Sequence, residues 1–406
     1  MIGANEQPPR GANEHISLAE RLRERIARGG PITFRDWMEA ALYDARGGYY
    51  SRRDLSRWGR AGDYRTSPER TPLFAATFAR YFASLHEQLG SPARFTICEA
   101  GAGAGDFALN TLSALERDFP RAFAATRYVA EEIGEHSRAS AREKLAPFAD
   151  RVEFRDPVEQ KPERAGEFRA ERTREGRVGR TAEERGEQSV EPTRHGVVFS
   201  NELIDALPVH RAVMSGGRLR ELLVGLDADG RFAWVEGEPS TPRLAEHFAR
   251  FGIELREGQR AEVNLACERW LARAASMFER GFVVTVDYGA TAVELYDPRL
   301  RFGGTLRAFR SHALSGDLLA EPGAQDLTAT INWSQLELAG RAAGLETVAF
   351  ERLDRFMLRA GALEQLEIMS GRAATEGERA ALRVGAREMI LPGGMAESFQ
   401  VLVQKK

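Results

Sequence analysis

Seven residues, Glu99-Ala-Gly101-Ala-Gly103-Ala-Gly105, put a carboxylate and three alternating glycines into one turn. Glycine tolerates positive φ and lets a ligand approach the main chain. The turn follows an apolar run, Phe95-Thr-Ile-Cys-Glu99, and precedes a helical pattern carrying Phe107, Leu112 and Leu115. That strand–turn–helix setting is where a glycine-rich ligand loop belongs. The dinucleotide fingerprint G-x-G-x-x-G does not fit, because Asp106 stands where its third glycine must be. An acid there also repels the pyrophosphate that a helix N-terminus attracts. An NAD-dependent enzyme is therefore the disfavoured reading.

S-adenosyl-L-methionine (SAM) carries no phosphate. It offers a sulfonium, an ammonium and a ribose diol, and these call for carboxylates. Glu99 at the strand end suits the ammonium, directly or through water. Tyr128-Val-Ala-Glu131-Glu132 ends a second strand one helix later and supplies an acceptor for the ribose hydroxyls, with Glu132 favoured over Glu131. Gly101, Gly103, Gly105, Glu99 and Glu132 are thus candidate cofactor residues. A fourth strand, His195 to Ser200, runs into Asn201-Glu202-Leu-Ile-Asp205-Ala-Leu-Pro208. Ligands of doubly wound sheets meet the carboxyl ends of the strands at the topological switch point. Asn201 is placed with the cofactor, and Glu202 and Asp205 with the acceptor. Carboxylates orient a guanidinium bidentately and serve as general bases. Asp287 is a reserve acid. The competing structural reading makes Asp205 a turn cap and Asn201 a backbone tether. No metal is called for, and His86, His210 and His312 show no ligand spacing.

The elements that must hold these residues alternate. Ser17-Leu-Ala-Glu20 has capping-box spacing before a helix with Leu18, Leu22 and Ile26 on one face, and Gly29-Gly30-Pro31 stops it. Thr33 caps a second helix, and a longer one carries Phe74 to Leu89. Strands near 95–99, 128–130, 151–154 and 195–200 alternate with helices, which predicts a parallel sheet. Residues 218–224 and 231–235 flank a turn at Asp227–Gly230 and predict an antiparallel ribbon. A helix is expected over Glu262 to Phe278, a strand over Gly281 to Asp287, a helix over Trp333 to Ala343, and a final edge strand over Glu397 to Val403. Asp106 is expected to cap the helix after the glycine turn. Glu159 to Arg194, dominated by Glu and Arg, cannot bury enough surface to order itself and reads as a mobile insertion.

The chain divides into an N-terminal helical region (1–90), a first part of the core (91–208, with 159–194 inserted), a β-hairpin and helical insertion on the acceptor side (209–280), and the rest of the core sheet (281–406). The fold class is α/β, Rossmann-like. The 57 Lys and Arg balance 60 Asp and Glu at a net charge of −3, which points to no nucleic-acid partner. No apolar run approaches the length of a membrane span, so no membrane insertion is expected. Cys98 and Cys267 have no metal-ligand spacing, and the low cysteine count suits a cytoplasmic protein. Oligomeric state is not predicted.

The chain resembles the MidA-type SAM-dependent methyltransferases, relatives of the mitochondrial complex I assembly factor that methylates a protein arginine. The resemblance is carried by Gly30-Pro-Ile32, Gly48-Tyr-Tyr50, Gly62-Asp-Tyr-Arg-Thr-Ser-Pro-Glu69, the Glu99–Gly105 turn, Asn201–Val209, Val286-Asp-Tyr-Gly289, Gly304-Thr-Leu-Arg307 and Gln325-Asp-Leu-Thr328. It implies a class I methyltransferase core, SAM as donor, and a protein substrate, with a respiratory complex I subunit by analogy. It also implies that the Gly62–Glu69 loop covers the cofactor, with Thr66 and Ser67 offering hydroxyls. Two departures stand out: Ala102 replaces the family's proline, and Thr330 and Asn332 replace its His and Asp. The alternative is a SAM-binding assembly factor that docks a partner without essential catalysis.

Overall fold

The computed structural model describes residues 16–52, 71–157, 193–310 and 313–406. Thr66, Ser67, His312 and nearly all of the 159–194 segment lie outside the described residues.

Helix α1 (Leu18–Gly29) opens with the capping box: Glu20 N–H donates to Ser17 Oγ, and the Glu20 carboxylate accepts from Ser17 N–H. A two-residue strand β1 (Ile32–Thr33) leads into α2 (Phe34–Tyr43), whose first turn is held by Asp36 N–H donating to Thr33 Oγ1 at 3.0 Å. Such a cap stabilises by about 1 kcal/mol. Helix α3 (Pro72–Gln88) is buried on several sides. Alternation then begins with β2 (Phe95–Ala100), α4 (Asp106–Asp118), β3 (Thr126–Glu131), α5 (Glu135–Lys144), β4 (Val152–Arg155) and β5 (Thr193–Asn201). Strands β6 (His210–Ser215), β7 (Arg218–Leu226) and β8 (Phe232–Gly237) follow, then α6 (Arg243–Arg250), β9 (Arg260–Val263), α7 (Ala266–Ser276) and β10 (Phe278–Asp287). Short strands β11 (Gly289–Ala290), β12 (Arg307–Arg310), β13 (Ala313–Leu314), β14 (Asp326–Thr328) and β15 (Ile331–Asn332) precede α8 (Trp333–Ala342) and β16 (Glu346–Arg352). Helices α9 (Leu353–Arg359), α10 (Ala362–Arg372) and α11 (Glu376–Ile390) come before the last strand, β17 (Gln400–Lys405).

Seven strands form one sheet in the order β16-β17-β10-β5-β2-β3-β4. From β4 to β10 they run parallel, and β17 alone is antiparallel to its neighbours. Helices cover both faces. Phe199, Val197 and Ile97 pack with α3, α4 and α9 to α11 on one side. Cys98, Val198 and Val283 pack with α7 and α8 on the other. The Rossmann-like α/β class is therefore observed. The chain leaves β2 toward β3 on one side and returns through β5 on the other, so the switch point lies between β2 and β5.

The antiparallel ribbon read from sequence is present, with Leu226 paired to Phe232 across the Asp227–Gly230 turn. It belongs to a larger sheet, because β7 also pairs with β1 and β6, and β6 with β9. Helices α1 and α2 pack on this sheet through Trp37, Phe34 and Val224. Two expectations are corrected. The Glu262–Phe278 helix starts later, at Ala266, because Arg260–Val263 is a strand that pairs with His210–Val213. The C-terminal strand is interior, since β16 covers its outer side, and Val401 to Val403 are fully buried. Among the described residues, no helix is long and apolar enough to cross a membrane.

Candidate functional site

The glycine turn is held open by its own backbone. Gly101, Gly103 and Gly105 have φ of 74°, 53° and 84°, in the left-handed region that side chains disfavour. The N–H groups of Gly101 and Ala102 both donate to Glu131 O at 2.9 Å, tying the turn to the end of β3. Phe107 stacks on Phe199 with centroids 4.5 Å apart. That pair fixes the first turn of α4 against the end of β5, and so sets the glycine turn relative to Asn201. Gly105 is the N-cap of α4, and Asp106, expected as the cap, is the first helical residue and pairs with Lys144 Nζ at 2.6 Å.

Glu99 is 5% exposed and accepts from Tyr128 Oη at 2.7 Å. Burial, with Glu132 and Asp106 nearby, pushes its carboxyl up to about 8. Glu132 lies against the glycine turn, where Gly103 N–H donates to Oε2 at 2.9 Å and Gly134 N–H to Oε1 at 2.7 Å. Glu131 is gripped by both guanidinium nitrogens of Arg273 from α7, at 2.9 and 2.5 Å. The two neighbouring acids thus have different partners, and both line the cavity described below.

The turn after β5 carries the other candidates. Asn201 Nδ2 donates to Glu202 Oε1 at 3.2 Å, while Asn201 Oδ1 is buried without a hydrogen bond. Glu202 has φ 51°, and its N–H donates to Val286 O at 3.0 Å. A non-glycine residue there costs of order 1–3 kcal/mol and persists only where the surroundings fix it. Asp205 is 4% exposed, and its Oδ1 has no hydrogen-bond partner. Burial raises its carboxyl to about 6, against the Tyr288 hydroxyl and backbone N–H groups that hold it down. Asp287, the reserve acid, is fully buried and accepts from the N–H groups of Ile204, Asp205 and Tyr288, so it ties the β5 turn to β10.

These groups converge on one cavity of about 710 Å³. Its wall includes Gly101 and Gly103 of the glycine turn, Glu99, Glu131, Glu132, Asn201, Glu202 and Asp205, whereas Gly105 packs against Ala141 and is not a wall residue. Sequence reasoning had not singled out Tyr43, Arg273, Arg301 or Phe309, which also line it. None carries a local signal, because each arrives from an element distant in sequence. Tyr43 Oη donates to Ala206 O at 3.0 Å and stacks on Tyr50, with centroids 5.4 Å apart.

A family model described as "Putative S-adenosyl-L-methionine-dependent methyltransferase" matches residues 77–351, more than half of the chain. The chain belongs to this family. A relative from Drosophila melanogaster, protein arginine methyltransferase NDUFAF7 homolog, mitochondrial, is 28% identical over 99% of this chain and 88% of its own length. The Rattus norvegicus protein arginine methyltransferase NDUFAF7, mitochondrial, is 26% identical over 96% of this chain and 85% of its own. A Burkholderia thailandensis protein solved with S-adenosyl-homocysteine (SAH) bound has a TM-score of 0.79 at 27% identity, over 96% of this chain and 92% of that one.

The enzyme is thus a SAM-dependent methyltransferase with a class I methyltransferase fold. The expectation of a cytoplasmic protein is overturned, because the named relatives from Drosophila melanogaster, Rattus norvegicus and Homo sapiens are all mitochondrial. A low cysteine count reports reducing chemistry and does not distinguish one reducing compartment from another.

The residues present fit the donor. The cavity falls within the range of about 300–1,000 Å³ usual for small-molecule sites. The backbone approach that a ligand needs is open at Gly101 and Gly103, two positive-φ glycines on the wall. Acids suited to an ammonium and a ribose diol line the turn, and Asn201 Oδ1 is a buried acceptor with its hydrogen bond unmade.

Proposed function

We propose that this methyltransferase transfers the methyl group to a protein arginine, with a respiratory complex I subunit as the acceptor protein. Glu99, Gly101, Gly103, Gly105, Glu132 and Asn201 hold the donor, and Asp205 with Glu202 orients the guanidinium. When bound, SAM supplies an electrophilic methyl group on a sulfonium, whose bonding electron pair leaves with sulfur. Methylation of a guanidinium nitrogen releases one proton. Asp205 receives it, a role supported by its being a buried carboxylate with an unmet oxygen. Near pH 7.5 a group titrating at about 6 is mostly ionised, as a base must be. Aligning two reactants in a closed site supplies much of the remaining rate.

The observation that carries this reading is the unpartnered Asp205 Oδ1 beside Glu202 on the cavity wall. The names of the relatives support the choice of arginine. The test is tritiated-methyl SAM added with the enzyme to lysate from a strain lacking it. One labelled band that yields methylarginine on hydrolysis is the expected result. Label on another residue type, or none, would remove the arginine reading.

A further inference from the structure

Three residues of the cavity wall carry a buried oxygen with no close hydrogen-bond partner, Asp205 Oδ1, Thr328 Oγ1 and Thr330 Oγ1, and the Tyr288 hydroxyl interacts with the first two residues. Their proximity is fixed by the backbone, because Ala329 N–H donates to Asp205 O at 2.9 Å. Residues 328 and 330 therefore flank the one that is hydrogen-bonded to Asp205. Strand β14 begins at Asp326, a 5% exposed carboxylate on the same cavity, whose Oδ1 accepts from Tyr50 Oη at 3.0 Å. Tyr50 stacks on Tyr43, and Tyr43 is tied to Ala206, the neighbour of Asp205. The hydroxyl of Tyr43, pushed up chiefly by burial, also feels the charges of Asp326 and Asp205. Two acids from separate elements thus meet around one pair of stacked phenols.

Buried polar atoms are almost always satisfied, so a cluster of unmet acceptors in one cavity calls for a donor-rich occupant. A guanidinium has five N–H donors in a plane and favours aromatic faces. The enzyme's own Arg307 already lies over the ring of Tyr288, another wall residue, at 5.8 Å.

We propose that Asp326 is a second acceptor-binding carboxylate, and that it and Asp205 hold a guanidinium side chain between them, with the hydroxyls of Thr328 and Thr330 accepting hydrogen bonds from its remaining N–H groups. This rests on the arginine reading above. It assigns the cavity two halves: the glycine turn binds the donor, and the β14 wall binds the acceptor.

The test uses the full-length enzyme, tritiated-methyl SAM and lysate protein from the deletion strain. Asp326→Asn keeps an oxygen for Tyr50 and removes the charge. It should raise the half-saturating lysate concentration at least about tenfold, while SAH affinity by calorimetry stays within about twofold. Asp326→Glu should recover part of the loss. Thr330→Val on the same wall should shift half-saturation in the same direction, and it carries the test if Asp326→Asn does not fold. Unchanged half-saturation with label on arginine would overturn the role of Asp326 alone. SAH affinity falling in step with the rate would move Asp326 to the donor side and also overturn it. Label on a residue other than arginine, with SAH binding intact, would instead fail the arginine reading.

Discussion

Glu99 is a buried carboxylate whose environment departs far from water. Its carboxyl is lifted from 4.5 to about 8, first by burial and then by Glu132 and Asp106, although Tyr128 holds it down. Between those values the folded protein keeps a proton that the unfolded chain has lost. Its contribution to stability is therefore full at low pH and is lost as pH rises toward 8. A bound ammonium favours the carboxylate, so donor binding should expel the proton. Titrating SAH near pH 7 in buffers of different ionisation enthalpy should show net proton release that Glu99→Gln abolishes. Equal heats in all buffers would show that Glu99 does not titrate. The adjacent acids invite a second comparison. Glu132→Gln should weaken SAH binding about tenfold and Glu131→Gln much less, as expected for one charge-assisted hydrogen-bond acceptor. The reverse order would transfer the ribose role to Glu131. Asp205→Asn should lower the methylation rate by about 10²-fold or more with SAH affinity nearly kept, the loss expected for a general base. The wild-type rate should rise with pH through about 6.

At the scale of elements, the glycine turn and the last strand carry separate predictions. A Cβ on Gly105 would sit 2.9 Å from Ala141 Cβ, and one on Gly101 would sit 3.0 Å from Leu203 Cδ1. Both positions have positive φ, which costs a side chain about 1–2 kcal/mol before any clash. Urea unfolding should find Gly105→Ala the more destabilised, because α5 is packed helix and Leu203 can turn aside. Equal stabilities would mean that the turn relaxes. Strand β17 lies between β10 and β16, so removing Gln400–Lys406 would expose two strand edges at once. The truncated protein should be recovered insoluble or without a cooperative transition. A soluble product with native circular dichroism would contradict the interior position.

At the scale of the molecule, the cavity wall draws on α2, the turns after β2, β3 and β5, helix α7, and strands β12 and β14. Occupying it should stabilise the fold as a unit. SAH at about 100 times its dissociation constant should add about 2.7 kcal/mol by mass action, read as a higher Tm in a single shifted transition. Millimolar SAH without effect on Tm would break the account of the donor site.

The glycine turn, the strand–helix alternation and the hairpin over 218–235 were legible in the sequence because each is written in neighbouring residues. A left-handed backbone needs glycine where it occurs, and periodicity of burial shows within a dozen residues. The family was legible for the same reason, through short motifs in fixed order. Three things were decided only by tertiary structure. Glu131 and Glu132 have the same local sequence value, and Arg273 from α7 and the N–H of Gly103 gave them different partners. The C-terminal strand alternates like an edge, and only the pairing of β16 buried it. Asp326 and Asp205 are far apart in the chain, and one backbone hydrogen bond, from Ala329 to Asp205, brings their segments to the same wall. Contacts between segments distant in sequence leave no local pattern, so Glu99, Glu132, Asn201, Glu202 and Asp205 were readable as candidates and Asp326 was not.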